Sequence, residues 1–360
     1  MKKLLFFLGT RPEGIKMAPL INTFRHASFI TKVCNTGQHK ELLDQTLNFF
    51  DIKPDFDLAI MSPNQSLEKL TSRLLISISE LLDSEKPDLI FVHGDTTTSF
   101  VSALSAFYKK TPIAHIEAGL RTNNKFSPFP EEINRVIVSR LADFQFAPTE
   151  LAKNNLLKDG IDPKKVFVTG NTVIDALFET IKLDDTKEDD LDKLILITGH
   201  RRENFGIGFK NIFSAIKNLA VRYKEYNFIY PVHPNPNVKY LAREYFSSLK
   251  NVTLIPPVDY PQFVSLMKKS YLIITDSGGI QEEAPSLGKP VIVTRDTTER
   301  PEAVASGTVI LVGNSIQKIE EEVSKLIDDK NYYNSFNKLQ NPYGDGTASI
   351  KILNIIKEIL

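Results

Sequence analysis

The feature that most restricts this chain is a pattern repeated along its length: a short apolar run, a turn rich in Gly, Thr, Asp or His, then an amphipathic stretch. Apolar runs without polar alternation predict strands buried on both faces, and helical stretches between them predict parallel crossovers. The first series of predicted strands is 3–8, 30–35, 89–93, 113–117, 144–147 and 166–169, with helices over 67–82 and 97–108 among the connections. A second series begins at 194–197 and continues through 228–232, 252–255, 272–275, 291–293 and 308–312. Between the two lies Asp184-Asp185-Thr186-Lys187-Glu188-Asp189-Asp190, acidic and without an apolar anchor, which is the composition of a linker. The expected fold class is α/β, with two Rossmann-like doubly wound domains facing a central cleft and ligands at the carboxyl ends of the strands. The expected boundaries are a first domain over 1–175, an acidic linker region over 176–192 and a second domain over 193–340, with 341–360 packing back toward the first domain.

Charge and cysteine content remove several functional classes. Forty-four Lys and Arg balance 44 Asp and Glu, so the chain lacks the basic footprint of a protein that grips nucleic acid, and any anion site must be local. Cys34 is the single cysteine, which rules out an intrachain disulfide or a cysteine-clustered zinc site and fits a reducing, cytoplasmic setting. The opening Met1-Lys2-Lys3 and Leu4 to Leu8 imitates a signal peptide, but five apolar residues before Gly9 are too few. No later run approaches the ~20 residues of a membrane span, so a soluble protein with no membrane partner is expected.

Polar segments follow the predicted strands. Gly9-Thr10-Arg11-Pro12-Glu13-Gly14-Ile15-Lys16 brings Arg11 and Lys16 to the start of a helix, where they serve either a solvated turn or an anion. Its glycines fit neither the dinucleotide fingerprint nor the P-loop. Asp95, in His93-Gly94-Asp95-Thr96-Thr97-Thr98, either caps a helix or faces a cleft, and Glu117 follows the next strand. Glu131 and Glu132 begin a helix after Pro128-Phe129-Pro130, where acids also suit the helix dipole. Carboxylates gathered at one rim suit proton transfer and stabilisation of positive charge. His200-Arg201-Arg202 ends the first strand of the second series, and a polar site explains it better than a surface turn. In Asp276-Ser277-Gly278-Gly279-Ile280-Gln281-Glu282-Glu283, paired glycines expose N–H groups to a phosphate, and Glu283 is placed to accept from ribose hydroxyls. That segment favours nucleoside-diphosphate binding, and Arg300 adds a cation downstream. Asp55-Phe56-Asp57 has the Asp-x-Asp spacing of some metal-dependent transferases but stands apart from the other motifs, and no metal is expected.

Taken in order, these segments, with Arg295-Asp296-Thr297-Thr298-Glu299-Arg300-Pro301-Glu302 and Asn341-Pro342-Tyr343-Gly344-Asp345-Gly346, resemble the non-hydrolysing UDP-N-acetylglucosamine 2-epimerase family over nearly the whole chain. The resemblance implies a fold like the two-domain glycosyltransferase B architecture. It also implies reversible interconversion of UDP-N-acetylglucosamine and UDP-N-acetylmannosamine by elimination of UDP to 2-acetamidoglucal and re-addition, in the service of bacterial surface polysaccharide. It assigns catalysis to Asp95, Glu117, Glu131 and His200, and UDP-sugar binding to Arg11, Lys16, Phe263, Ser277, Gly278, Gly279, Glu283 and Arg300. Gln38, Gln65, Glu132, Arg202 and His233 lie in segments resembling a second, activating UDP-N-acetylglucosamine site of some relatives. No metal, redox or other cofactor is implied, and a homodimer is. The competing readings are a 2-epimerase of a UDP-diacetamido-uronic acid, a hydrolysing epimerase releasing N-acetylmannosamine and UDP, a glycosyltransferase, and a non-enzymatic sugar-nucleotide sensor.

Overall fold

Every strand pairing among the described residues is parallel, as apolar strands joined by helical crossovers require. A computed structural model describes residues 1–38, 40–62, 65–183, 193–199, 201, 204 and 206–360, the side chains of 40–42 apart. They divide into two units, Met1–Phe178 with Tyr343–Leu360, and Glu179–Pro342.

The first unit carries β1 (Lys3–Leu8), β2 (Ile30–Asn35), β3 (Phe56–Asp57), β4 (Leu89–His93), β5 (Ile113–Ile116), β6 (Phe144–Ala147) and β7 (Val166–Val168), in the order β3-β2-β1-β4-β5-β6-β7. The order reverses between β1 and β4, and there the turns that leave the two strands open beside each other. Leu5, Phe7, Ile90 and Val92 join the core cluster that contains Leu74, Ile78 and Val101 of the helices Leu67–Glu85 and Thr97–Tyr108. Phe6 stacks on Phe91 at 4.3 Å between centroids, and Phe24 of the helix Arg11–Arg25 packs on both. Alternate residues of one strand thus enter different apolar layers, the requirement for a sheet covered on both faces. The two-residue β3 pairs Cys34 with Phe56 and Asn35 with Asp57, too short to show a period in the sequence.

The second unit repeats the plan with β8 (Leu194–Thr198), β9 (Asn227–Pro231), β10 (Val252–Ile255), β11 (Leu272–Thr275), β12 (Val291–Val293) and β13 (Val309–Leu311), in the order β10-β9-β8-β11-β12-β13. Its reversal lies between β8 and β11. Phe209, Phe213, Phe228, Tyr230 and Phe246 belong to one buried aromatic-rich cluster on this sheet.

Residues 176–183 are helical, as part of the helix Thr172–Leu183, and residues 184–192 lie outside the described ones. The chain returns to the first unit at Tyr343 and ends in the helix Ala348–Ile359, which contacts the helix Arg11–Arg25. Asp175 holds the start of that terminal helix, accepting from the Ser349 N–H at 2.7 Å and the Ala348 N–H at 3.2 Å. Burial pushes the Asp175 carboxyl above its usual range, against the pull of these donors. Asp175→Ala removes the acceptor for two orphan N–H groups, at a cost of about 1–2 kcal/mol. Faster amide hydrogen exchange is expected across Ala348–Ile359, with the exchange of β1 and β4 unchanged; equal protection in both proteins would contradict this role.

Candidate active site

Glu13 organises the switch point of the first unit. It follows Thr10 by three residues, the spacing of a capping box, and its buried carboxylate accepts from the Thr10 N–H at 2.7 Å and the Gly9 N–H at 3.0 Å. The Thr96 hydroxyl donates to its other oxygen at 2.6 Å, and the Ser99 hydroxyl lies 3.0 Å away. One side chain therefore fastens the turn after β1 to the turn after β4, although burial raises its pKa. Glycine is required at position 9, because a Cβ there would lie 2.2 Å from the Thr98 hydroxyl oxygen. Sequence reading passed over Glu13 as an organiser, and the Thr-x-x-Glu spacing was the signal for it.

Beyond these turns, Glu117 and Glu131 lie near enough to Asp95 for their charges to act on it. The sequence predicts Glu117 inside a strand, but β5 stops at Ile116 and Glu117 takes a left-handed conformation with φ 60°. Side chains rarely adopt that geometry, and here it belongs to the turn that directs this carboxylate. Glu117 Oε1 pairs with the Lys16 ammonium and accepts from Asn171 Nδ2 at 2.8 Å, and Oε2 lies 3.5 Å from His93 Nε2. Asp95 pairs with Arg135. Burial raises the Asp95 carboxyl, Arg135 opposes this, and the negative charges of Glu117 and Glu131 push further upward. Lys16, expected from the resemblance at the UDP, is thus bound to Glu117 in this structure. Arg11 is the first residue of its helix.

Glu132 faces inward. It accepts from the Thr122 N–H at 3.0 Å and the Asn123 N–H at 2.9 Å, and Arg135 pairs with it at 3.3 Å. Arg135 therefore links Asp95 to the loop that leads toward Glu131. Gln38 accepts from the Thr98 hydroxyl at 3.1 Å, whereas Gln65 accepts from the Ser62 N–H at 3.2 Å. His233, in the second unit, is exposed, its Nδ1 facing the Asn235 N–H at 3.3 Å. His200 and Arg202 lie outside the described residues.

In the second unit the turn after β11 carries Ser277, Gly278 and Gly279, with the Ser277 N–H donating to the Thr275 hydroxyl at 2.9 Å. Arg300 crosses the helix Gly278–Glu283 at its start, and a Cβ on Gly278 would lie 3.2 Å from the guanidinium. Buried Glu282 fixes that guanidinium through Nε and Nη2, each at 2.8 Å. Glu283 accepts from the Tyr260 hydroxyl at 2.7 Å, and Phe263 lies partly buried on the same helix as Tyr260. Asp276 is fully buried and accepts from the Arg201 N–H at 2.9 Å and Asn204 Nδ2 at 3.2 Å, so it joins the turn after β8 to the turn after β11. Among the described residues no His, Cys, Asp and Glu group is arranged to hold a metal ion, and no helix is long and apolar enough to cross a membrane.

A family model described as UDP-N-acetylglucosamine 2-epimerase matches residues 22–357. The UDP-N-acetylglucosamine 2-epimerase of Neisseria meningitidis serogroup A is 53% identical, over 96% of this chain and 97% of that protein. Among solved structures, the N. meningitidis UDP-GlcNAc 2-epimerase bound to UDP-GlcNAc has a TM-score of 0.90 at 52% identity, covering 99% of this chain and 100% of that one. The S. aureus MnaA complex with UDP has a TM-score of 0.91 at 45% identity, covering 100% and 97%.

The buried imidazoles make the local electrostatics testable. Burial drives both His93 and His115 down to about 4, His93 further through the nearby Lys16 charge and His115 through Arg121. His115 Nε2 lies 2.8 Å from the Gly94 carbonyl, to which a neutral ring donates. Ring-nitrogen NMR should find both imidazoles neutral down to about pH 5, whereas unfolded histidines titrate near ~6.5. Between those values the unfolded chain binds more protons, so stability falls as pH drops through this window. Either ring titrating above about pH 6 would contradict the assignment.

Proposed function

The chain belongs to the UDP-N-acetylglucosamine 2-epimerase family, and from that premise we propose that it interconverts UDP-N-acetylglucosamine and UDP-N-acetylmannosamine without hydrolysing either. The carbon 2 proton of this sugar is not adjacent to a carbonyl, so its direct removal would leave a poorly stabilised carbanion. Cleavage of the bond between carbon 1 and the diphosphate oxygen moves the difficulty to an oxocarbenium-like centre, which carboxylates stabilise. The carbon 2 proton then passes to a carboxylate and its bonding pair forms the double bond of 2-acetamidoglucal. UDP oxygen re-adds at carbon 1, and a proton returns to carbon 2 from the opposite face.

The observation that carries this reading is the grouping of Asp95, Glu117 and Glu131, with Glu117 held by a cation and an amide. Glu117 and Glu131 are assigned to the proton transfers and Asp95 to a third acid–base role. Ser277, Gly278, Gly279, Glu283, Arg300, Arg11 and Phe263 are assigned to UDP, and His200 to the departing diphosphate. Proton NMR in deuterated water with UDP-N-acetylglucosamine alone should show UDP-N-acetylmannosamine with deuterium at carbon 2. Glu117→Gln should lower turnover by at least about 100-fold while changing UDP affinity little. Free N-acetylmannosamine would identify hydrolysis instead, and equal loss of UDP binding would remove Glu117 from the chemistry.

The same reading includes a homodimer. Ile76, Phe107 and Tyr108 are 61%, 55% and 61% exposed on two helices in mutual contact, Leu67–Glu85 and Thr97–Tyr108, and such apolar surface favours burial against a second copy. Light scattering should return twice the 40.6 kDa chain mass, and Phe107→Asp should shift the population toward monomer. A monomeric parent protein would reject the dimer.

A further inference from the structure

Besides Lys16, Glu117 is held by Asn171, a buried residue at a special point of the chain. Asn171 immediately precedes the helix Thr172–Leu183, along which the chain leaves the first unit after Phe178. Its Oδ1 accepts from the Val173 N–H at 3.1 Å, so the side chain caps that helix and its amide orientation is fixed. Nδ2 is thereby committed to donation, and it donates to Glu117 Oε1 at 2.8 Å. The Asn171 N–H donates at 2.7 Å to the carbonyl of Tyr343, the residue at which the chain returns.

The two crossing segments also touch backbone to backbone. Gly170 has φ +90°, and a Cβ there would lie 3.2 Å from the Tyr343 carbonyl oxygen; one on Gly344 would lie 3.3 Å from the Gly170 Cα. The outgoing helix, the returning strand of chain and the Glu117 carboxylate therefore share one residue.

We propose that Asn171 is a positioning residue for the epimerisation, its side-chain amide fixing Glu117 from the point where both chain crossings meet. This rests on the assignment of Glu117 as a catalytic carboxylate. Charged or titratable groups around Glu117 include Lys16 from the helix Arg11–Arg25, His93 and Asp95 from the end of β4, and His115 from β5. A donor to a carboxylate favours its charged form, so loss of Nδ2 raises the pKa of Glu117 and the carboxylate survives only at higher pH.

The test is the pH dependence of kcat for the full-length protein and for Asn171→Ser, Asn171→Asp and Glu117→Gln, with UDP affinity and thermal midpoint measured on each. Serine retains a cap for the helix but is too short to reach Glu117. The low-pH limb of Asn171→Ser is expected to move to higher pH by about one unit, giving roughly tenfold lower kcat below the limb and convergence with the parent above it. UDP affinity should stay within about twofold, since uniform binding is untouched. Asn171→Asp, isosteric and still able to cap, places a carboxylate beside Glu117 and should move the limb further; it decides the matter if the serine variant does not fold. Superimposable profiles with an inactive Glu117→Gln would overturn the role of Asn171 and leave that of Glu117 standing. A uniform loss of kcat at every pH would reduce Asn171 to a structural cap and also overturn the proposal. Parental turnover by Glu117→Gln would instead overturn the assignment on which it rests.

Discussion

In a doubly wound parallel sheet, the strands that meet at the switch point send their following helices to opposite faces, which leaves the mouths of two turns side by side. Here those strands are β1 and β4, and what keeps their turns in register is the buried Glu13 carboxylate, accepting from Gly9 and Thr10 on one side and Thr96 on the other. Several candidate site residues of the first unit lie next to this junction in the chain or the sheet. Lys16 lies one turn further along the helix that begins at Arg11, Asp95 immediately precedes Thr96, and Glu117 approaches from the neighbouring β5. A carboxylate is costly to bury, and the contacts of Glu13 with Gly9, Thr10, Thr96 and Ser99 only partly offset a desolvation that still raises its pKa.

Grouping acids creates a second difficulty, because like charges in a partly buried region repel and favour protonation. The protein answers with a cation for each of two acids: Lys16 for Glu117 and Arg135 for Asp95. Arg135 is itself shared with Glu132, whose oxygens hold the backbone of Thr122 and Asn123. The carboxylates are thus fixed through backbone as well as through charge, which is the preorganisation that electrostatic catalysis requires. His93 and His115, neutral above about pH 4, add polarity here without adding charge at neutral pH.

Strand positions were legible in the sequence because both faces of each sheet are covered, and uninterrupted apolar runs leave little ambiguity. Boundaries were less so where function intervenes: Glu117 reads as the last residue of a strand, yet it leaves the strand for a left-handed turn. The residue types of the candidate site were equally visible at strand ends. Their connections were not, since Glu13 with Thr96, Asn171 with Glu117 and Arg300 with Glu282 each join segments distant in sequence. Glu132, which the resemblance implies at a second sugar-nucleotide site, also holds a loop through the Thr122 and Asn123 N–H groups, a contact its motif did not announce.

The second unit solves the corresponding problem with different chemistry. Its buried tie is Asp276, which accepts from the Arg201 backbone and Asn204 and so joins the β8 and β11 turns much as Glu13 joins those of β1 and β4. What it displays beside that tie is a serine, two glycines and an arginine held by Glu282. Gly278 is small because Arg300 lies 3.2 Å from where its Cβ would be, so the same absence of a side chain exposes backbone and seats a cation. Departure of a nucleoside diphosphate and transfer of a proton at carbon 2 make opposite electrostatic demands, one for positive charge and one for carboxylates. Two copies of one doubly wound plan thus end in turns of different character, acid-bearing around β4 and β5 and glycine- and arginine-bearing after β11.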